Sequence, residues 1–288
     1  MRHGIKLADG AFLGSVGYVA SSTGTPLHST ATGWKTRATA NGGSPTDATV
    51  SALSTFCYAL DAASITSKML ALNAYVADDL ICCTTPLIVG VGSDPWTNIN
   101  FAGGDLSIHG LSGGSGNEYL QTGVVASTSF ASNAKGGITL YVTVNGNVAG
   151  IEAGCNGEAD TDTFMLANYS GTTYWDCVGQ GTGRISQANS GWTGYLSGNR
   201  TASNSTVIYR AKSSTPHEVL KSDTTSADSA YAAREVYFHA NNGKGVAILF
   251  SSNRLSFGAI HDGLTQSESS AFYAAVQALR TTLGGGYV

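Results

Sequence analysis

The sequence predicts a mainly β fold: an antiparallel sandwich or jelly roll, closed by one C-terminal helix. Three observations predict it. Gly supplies 37 of 288 residues, well above the roughly 7% of ordinary chains. Charged residues are only 12% while hydrophobic residues are 42%, which is not the composition of a disordered chain. From Gly90 onward, short β-prone runs recur between marked turns such as Asn145-Gly146, Ser170-Gly171, Gly181-Thr182-Gly183 and Asn242-Gly243. These strands do not alternate with helices, which argues against a parallel α/β sheet.

In chain order, residues 1–41 carry no sustained periodicity. Isolated apolar side chains, among them Phe12, Leu13, Tyr18 and Trp34, are spread through Gly, Ser and Thr. The expected structure is an extended N-terminal arm that docks on its own body or on a neighbouring subunit. Residues 42–85 read as a small helical lead-in. Ser44-Pro45-Thr46-Asp47 has the chemistry of a helix start. Val50, Leu53, Cys57 and Leu60 form a helical stripe, a further helical piece is expected over Ser64–Ala71, and a turn begins at Asp78-Asp79-Leu80.

Residues 86–288 are expected to form the sandwich and its helix. Candidate strands are Leu106–His109, Tyr119–Thr122, Ile138–Val144, Val148–Ala153, Thr163–Asn168, Thr173–Cys177, Arg184–Gln187, Trp192–Leu196, Val207–Ala211, Glu218–Lys221 and Glu235–His239. Leu140, Val142 and Val144 alternate with Tyr141 and Thr143, the pattern of a half-buried strand. Val246–Phe250 and Leu255–His261 end the β region. Thr265 and Glu268 make a capping box. Phe272, Val276, Leu279 and Leu283 then fall on one stripe of a helix, which Gly284 stops.

The run DPWTNINFAGGDLSIHGLSGGSGNEYLQTG resembles the opening of a concanavalin A-like, laminin-G-like jelly roll. SGNRTASNSTVIYR resembles the internal strand pair of that group, and SFGAIHDGLTQSESSAFYAAVQALRTTLGG its terminal strand and helix. The similarity spans about Thr46 to Gly285. It implies a sandwich fold and a setting among bacteriophage virion proteins or bacterial surface and secreted proteins.

Two clusters carry candidate chemistry. Tyr174, Trp175, Asp176, Trp192 and Tyr195, with Tyr169 nearby, combine aromatic faces with a polar group, as a sugar-binding surface requires. The same aromatics also fill cores and interfaces. Glu158, Asp160 and Asp162 lie with Glu152 in an acidic Gly-rich segment. They are a candidate for calcium or, as a distant third reading, for the paired carboxylates of a glycan hydrolase. Otherwise they form a solvated acidic loop. The histidines lack metal-ligand spacing, and Gly110–Gly114 matches a nucleophile-elbow string without the helix that should follow it. Five cysteines without a CxxC read as reduced thiols, with Cys155 and Cys177 the one pair to check.

The net charge of −4 offers no basic face to nucleic acid. Membrane partners and cofactors are likewise not expected. Gly, Asp and Ser break up the apolar content of the first twenty residues, so no secretory leader is expected. The leading expectation is a non-enzymatic structural subunit of a bacteriophage virion: a capsid decoration, fibre or tail-associated protein. Its partners would be other virion proteins and copies of itself. The alternative is a lectin-like module that reads glycans or a host surface.

Overall fold

The computed structural model describes residues 25–114, 116–146, 150–157, 161–179, 183–227 and 230–286. Helices α1 (Ser29–Ala40) and α2 (Asp47–Ala62) come first, then strand β1 (Met69–Asn73), α3 (Leu80–Thr84), β2 (Ile88–Val89) and β3 (Thr97–Ile99). Next are β4 (Leu106–Ser107), β5 (Gly110–Ser112), β6 (Tyr119–Val125), α4 (Ala126–Ser129), β7 (Gly136–Val144), β8 (Ala153–Asn156) and β9 (Asp162–Tyr169). The hairpin of β10 (Thr172–Asp176) and β11 (Arg184–Ala188) precedes β12 (Gly194–Ala202), β13 (Ser205–Lys212) and β14 (Thr215–Asp223). The chain closes through β15 (Glu235–Phe238), β16 (Asn241–Gly243), β17 (Val246–Ile248), β18 (Arg254–His261) and α5 (Gln266–Thr282).

These strands build two sheets. One runs β14-β13-β12-β7-β18-β1-β2, with β5 on β18 and β4 on β5. The other runs β11-β10-β9-β8-β15-β6-β3, with β16 and β17 attached at β8. Described pairings are antiparallel except β16 on β8. The sheets face each other across one apolar core. Ile138, Leu140, Val142, Leu196, Ile208 and Ile260 meet Leu120, Val124, Met165, Trp175, Ile185 and Phe238 there. Gly198 lets Trp175 lie flat against β12, because a Cβ at that position would come within 2.4 Å of the indole. The fold is therefore the mainly β, antiparallel sandwich expected, with a helix at its C-terminus.

A second core lies on the outer face of the first sheet. Tyr141, Tyr195, Tyr209, Phe257 and Ala259 pack there against Trp34, Leu53, Phe56, Phe272, Val276 and Leu279 from α1, α2 and α5. Helix α5 has the expected capping box between Thr265 and Glu268. Phe272 and Val276 of its stripe are fully buried and Leu279 nearly so, while Leu283, the C-cap, is partly buried. We call the two sheets the backed sheet and the open sheet.

Several expectations are corrected. Residues 29–40 are a helix rather than part of an extended arm, and Trp34 is 1% exposed. The stripe Ala31, Trp34, Ala38 faces α2, and the Trp34 indole N–H donates to the Thr85 carbonyl at 3.0 Å. This packing outweighs a sequence of weak helix formers. The other proposed arm residues, Phe12, Leu13 and Tyr18, lie outside the described residues. Ser64–Ala71 is not helical throughout: a 3-10 turn over Thr66–Lys68 leads into β1. A short apolar run suits either state, and pairing with β18 and β2 decides it. The lead-in thus contributes a strand to the backed sheet. Strand β7 is buried on both faces rather than half-buried, because the helices cover Tyr141. The cap of α2 is Thr46, not Ser44.

Candidate functional site

With the helices covering one outer face, the outer face of the open sheet is the one without a helical layer among the described residues, although Phe164, Leu166 and Asp176 on it are buried. Its features come from β9, β10 and β11. In β10, Thr173 and Trp175 point inward, so alternation sends Thr172, Tyr174 and Asp176 outward. In β9 the outward residues are Phe164 and Leu166, which form a small cluster with Ile151 and Tyr174. In β11, Ile185 points inward and Arg184 and Ser186 point outward. Register places Tyr174 opposite Leu166 and Ser186, and Asp176 opposite Phe164 and Arg184.

Arg184 organises this face. Its Nε donates to Asp176 Oδ1 at 2.8 Å and its Nη2 to Oδ2 at 2.5 Å, a two-pronged pair. The guanidinium lies 5.3 Å from the Tyr174 ring centroid and 5.6 Å from that of Phe164. Burial pushes the Asp176 carboxyl up to about 6, against the hydrogen bonds and charge of Arg184, and Asp162 pushes the same way as burial. Asp176 in turn holds the Arg184 guanidinium above its ordinary value. Tyr169 stands edge-on to Tyr174 at 6.3 Å and is 46% exposed. Exposed Leu249 sits beside this group, since its carbonyl accepts from Ile151 N at 2.8 Å.

The aromatic cluster expected from sequence is split over three places, with Trp175 and Trp192 together in the core between the sheets. Tyr174 and Asp176 are on the open face. Trp175, fully buried, belongs to the core between the sheets. Tyr195 is fully buried on the helical side, with its hydroxyl 2.9 Å from Ser269 Oγ. Trp192 is 5% exposed, and Arg210 and Lys212 lie 4.9 Å and 4.6 Å from its ring centroid. Trp175 and Tyr195 therefore offer no face to a ligand, because strand alternation turns each into a core. Arg184 and Phe164 were missed. The predicted turn marked the hairpin but not its register: a turn centred on Thr182 would set Asp176 opposite Ala188, whereas the observed pairing sets it opposite Arg184.

Of the acidic candidates, Glu158 and Asp160 lie outside the described residues and Asp162 is 2% exposed. Glu152 is fully buried and accepts from Ala167 N, Ser251 Oγ and Asn253 Nδ2 at 2.5, 3.0 and 2.6 Å. Burial pushes its carboxyl up to about 7. Among the described residues, no group of three or more His, Cys, Asp or Glu is placed to hold a metal. Cys155 and Cys177 are free and buried, like the other three cysteines. His261 is satisfied, with Nε2 2.9 Å from Thr139 Oγ1 and Nδ1 accepting from Gly263 N. His239 is not: both ring nitrogens are buried without a partner. A separate cavity of about 260 Å³ lies between α2, α5 and the loop after β1, lined by Thr49, Asp78, Phe257 and Arg280 among others.

Fold and face together define an antiparallel β-sandwich with one side covered by helices and an aromatic, ion-paired strip on the other. No protein-family model and no curated protein matches the sequence. Among solved structures, the chain is similar to domain 4 of AbnA, a GH43 extracellular arabinanase from Geobacillus stearothermophilus in complex with arabinotriose. The TM-score is 0.45 at 12% identity, covering 71% of this chain and 98% of that one. It is also similar to the CBM40 of the Ruminococcus gnavus IT-sialidase bound to α2,3-sialyllactose, with TM-score 0.35 and 9% identity over 46% of this chain and 79% of that one. A GH54 α-L-arabinofuranosidase matches at TM-score 0.40 and 11% identity over 61% of this chain, which spans 40% of that enzyme's length. At these scores and identities, nothing about residues or ligands is carried over.

Proposed function

We propose that the protein is a non-enzymatic carbohydrate-binding module whose working surface is the outer face of the open sheet. The supporting observation is the strip of Tyr169, Tyr174 and Arg184 on that face. Sugar rings stack on exposed aromatic faces, and their hydroxyls need a few fixed polar partners. Thr172 and Ser186 flank Tyr174 and supply them. The non-enzymatic reading is supported by the burial of Glu152, Asp162 and Asp176, which leaves none of these three acids open to a substrate.

The virion subunit expected from sequence is the setting we propose for such a module, displayed on a particle that meets glycans. Trp34, one of its proposed assembly contacts, is core. The test is a glycan array followed by titration calorimetry on the best hit. Tyr174→Ala should weaken binding by about tenfold or more, the worth of one stacking contact. Unchanged affinity in Tyr174→Ala, or no binding to any glycan, would contradict the reading.

A further inference from the structure

We infer that the glycan taken by the open face is neutral, because the one described cation on the strip is already committed to a carboxylate of the protein itself. This rests on the reading of that face as a glycan surface and adds the class of sugar. Carboxylate-bearing sugars are gripped best by a two-pronged guanidinium. Here both prongs, Nε and Nη2 of Arg184, point at Asp176. Asp176 is fully buried, so a competing sugar carboxylate would have to strand it without a partner. Asp162, which acts electrostatically on both members of the pair, adds a second negative charge. With its guanidinium matched by Asp176, the strip has no positive surplus for an anion among its described residues. Around Tyr174 stand hydroxyl groups, Thr172 in β10 and Ser186 in register across β11. Uncharged partners of this kind match sugar hydroxyls.

The pair also keeps Arg184 over the rings of Tyr174 and Phe164, closing one aromatic face and leaving Tyr169 edge-on beside it. Asp176 thus acts as a positioning residue that sets the charge of the strip.

Calorimetry at pH 7 on the full chain tests this with neutral cellotriose, xylotriose and maltotriose against trigalacturonic acid. The expected result is binding of at least one neutral trisaccharide, about tenfold or more tighter than the acid. Its affinity should not change between roughly 50 and 500 mM NaCl, since screening acts only on charged partners. Asp176→Asn releases the guanidinium and should raise affinity for trigalacturonic acid relative to the neutral sugar. The inference is overturned if the wild-type chain prefers the acid, or if salt weakens its binding. It is also overturned if folded Asp176→Asn leaves the preference as it was. Binding of no sugar by either chain would sink the glycan reading and this inference together, whereas an acid preference abolished by Tyr174→Ala would sink this inference alone.

Discussion

Among single residues, the Arg184–Asp176 pair carries the most. Asp176 is fully buried and the Arg184 side chain is 31% exposed, so their attraction is only partly screened by water. Arg184→Ala should cost about 2–3 kcal/mol at neutral pH by leaving a buried carboxylate alone. The pH dependence has a definite sign. Burial raises the folded-state pKa of Asp176 above its ordinary 3.8, and loss of the cation raises it further. A raised acid takes up its proton first in the fold, so its stability contribution is lost as pH rises. The deficit of Arg184→Ala should be largest near pH 8 and should shrink toward pH 5, as read from urea midpoints. An equal deficit at both pH values would show that the pair is not what Arg184 contributes. Neither the pair nor the burial of Trp175 was read from sequence, although alternation along Thr173-Tyr174-Trp175-Asp176 already separates Trp175 from its neighbours. Adjacent aromatics in a strand cannot share one face, and grouping them by proximity in sequence ignored that.

The C-terminal helix is the element most legible in the sequence. Thr265, Glu268 and the stripe from Phe272 to Leu283 state its start, its cap and its buried side. Local signals of this kind depend on near neighbours only. Phe272 meets Phe56, Phe257 and Tyr195 at ring-centroid distances of 6.4, 5.4 and 6.4 Å, joining α5 to α2 and to the backed sheet. Phe272→Ala should therefore cost about 3–5 kcal/mol, measured by denaturant unfolding; a loss under about 1 kcal/mol would mean the helix is not a structural layer. Helix α1 was not legible, because its local marks, the His28 cap and the stop at Asn41-Gly42, flank a run of weak helix formers and its stability comes from α2 and the Thr85 carbonyl. Strand β1 was misread for a related reason: Met69-Leu70-Ala71-Leu72 suits either state until β18 offers its edge.

In the whole molecule, three layers share two cores, and the backed sheet is the wall between them. That arrangement leaves the outer face of the open sheet without a helical layer among the described residues, and the proposed function is placed there. The sandwich itself was readable from composition, turn spacing and alternation. The helical backing of β7 was not, since Tyr141 and Thr143 look like solvent-facing positions until another layer covers them. It also follows that residues 29–41 are part of the folded body. Removing residues 1–41 should lower the melting temperature by several degrees through loss of Trp34; a truncated chain as stable as the full one would restore the arm.

The central claim is that the outer face of the open sheet is the working surface. Backbone amide NMR shifts, followed while the best-binding neutral trisaccharide is added, test it most directly. The account predicts that the perturbed amides fall in β9, β10 and β11, around Tyr169–Asp176 and Arg184–Ala188. Perturbations centred instead on α2, α5 and the cavity at Asp78 and Arg280 would contradict it.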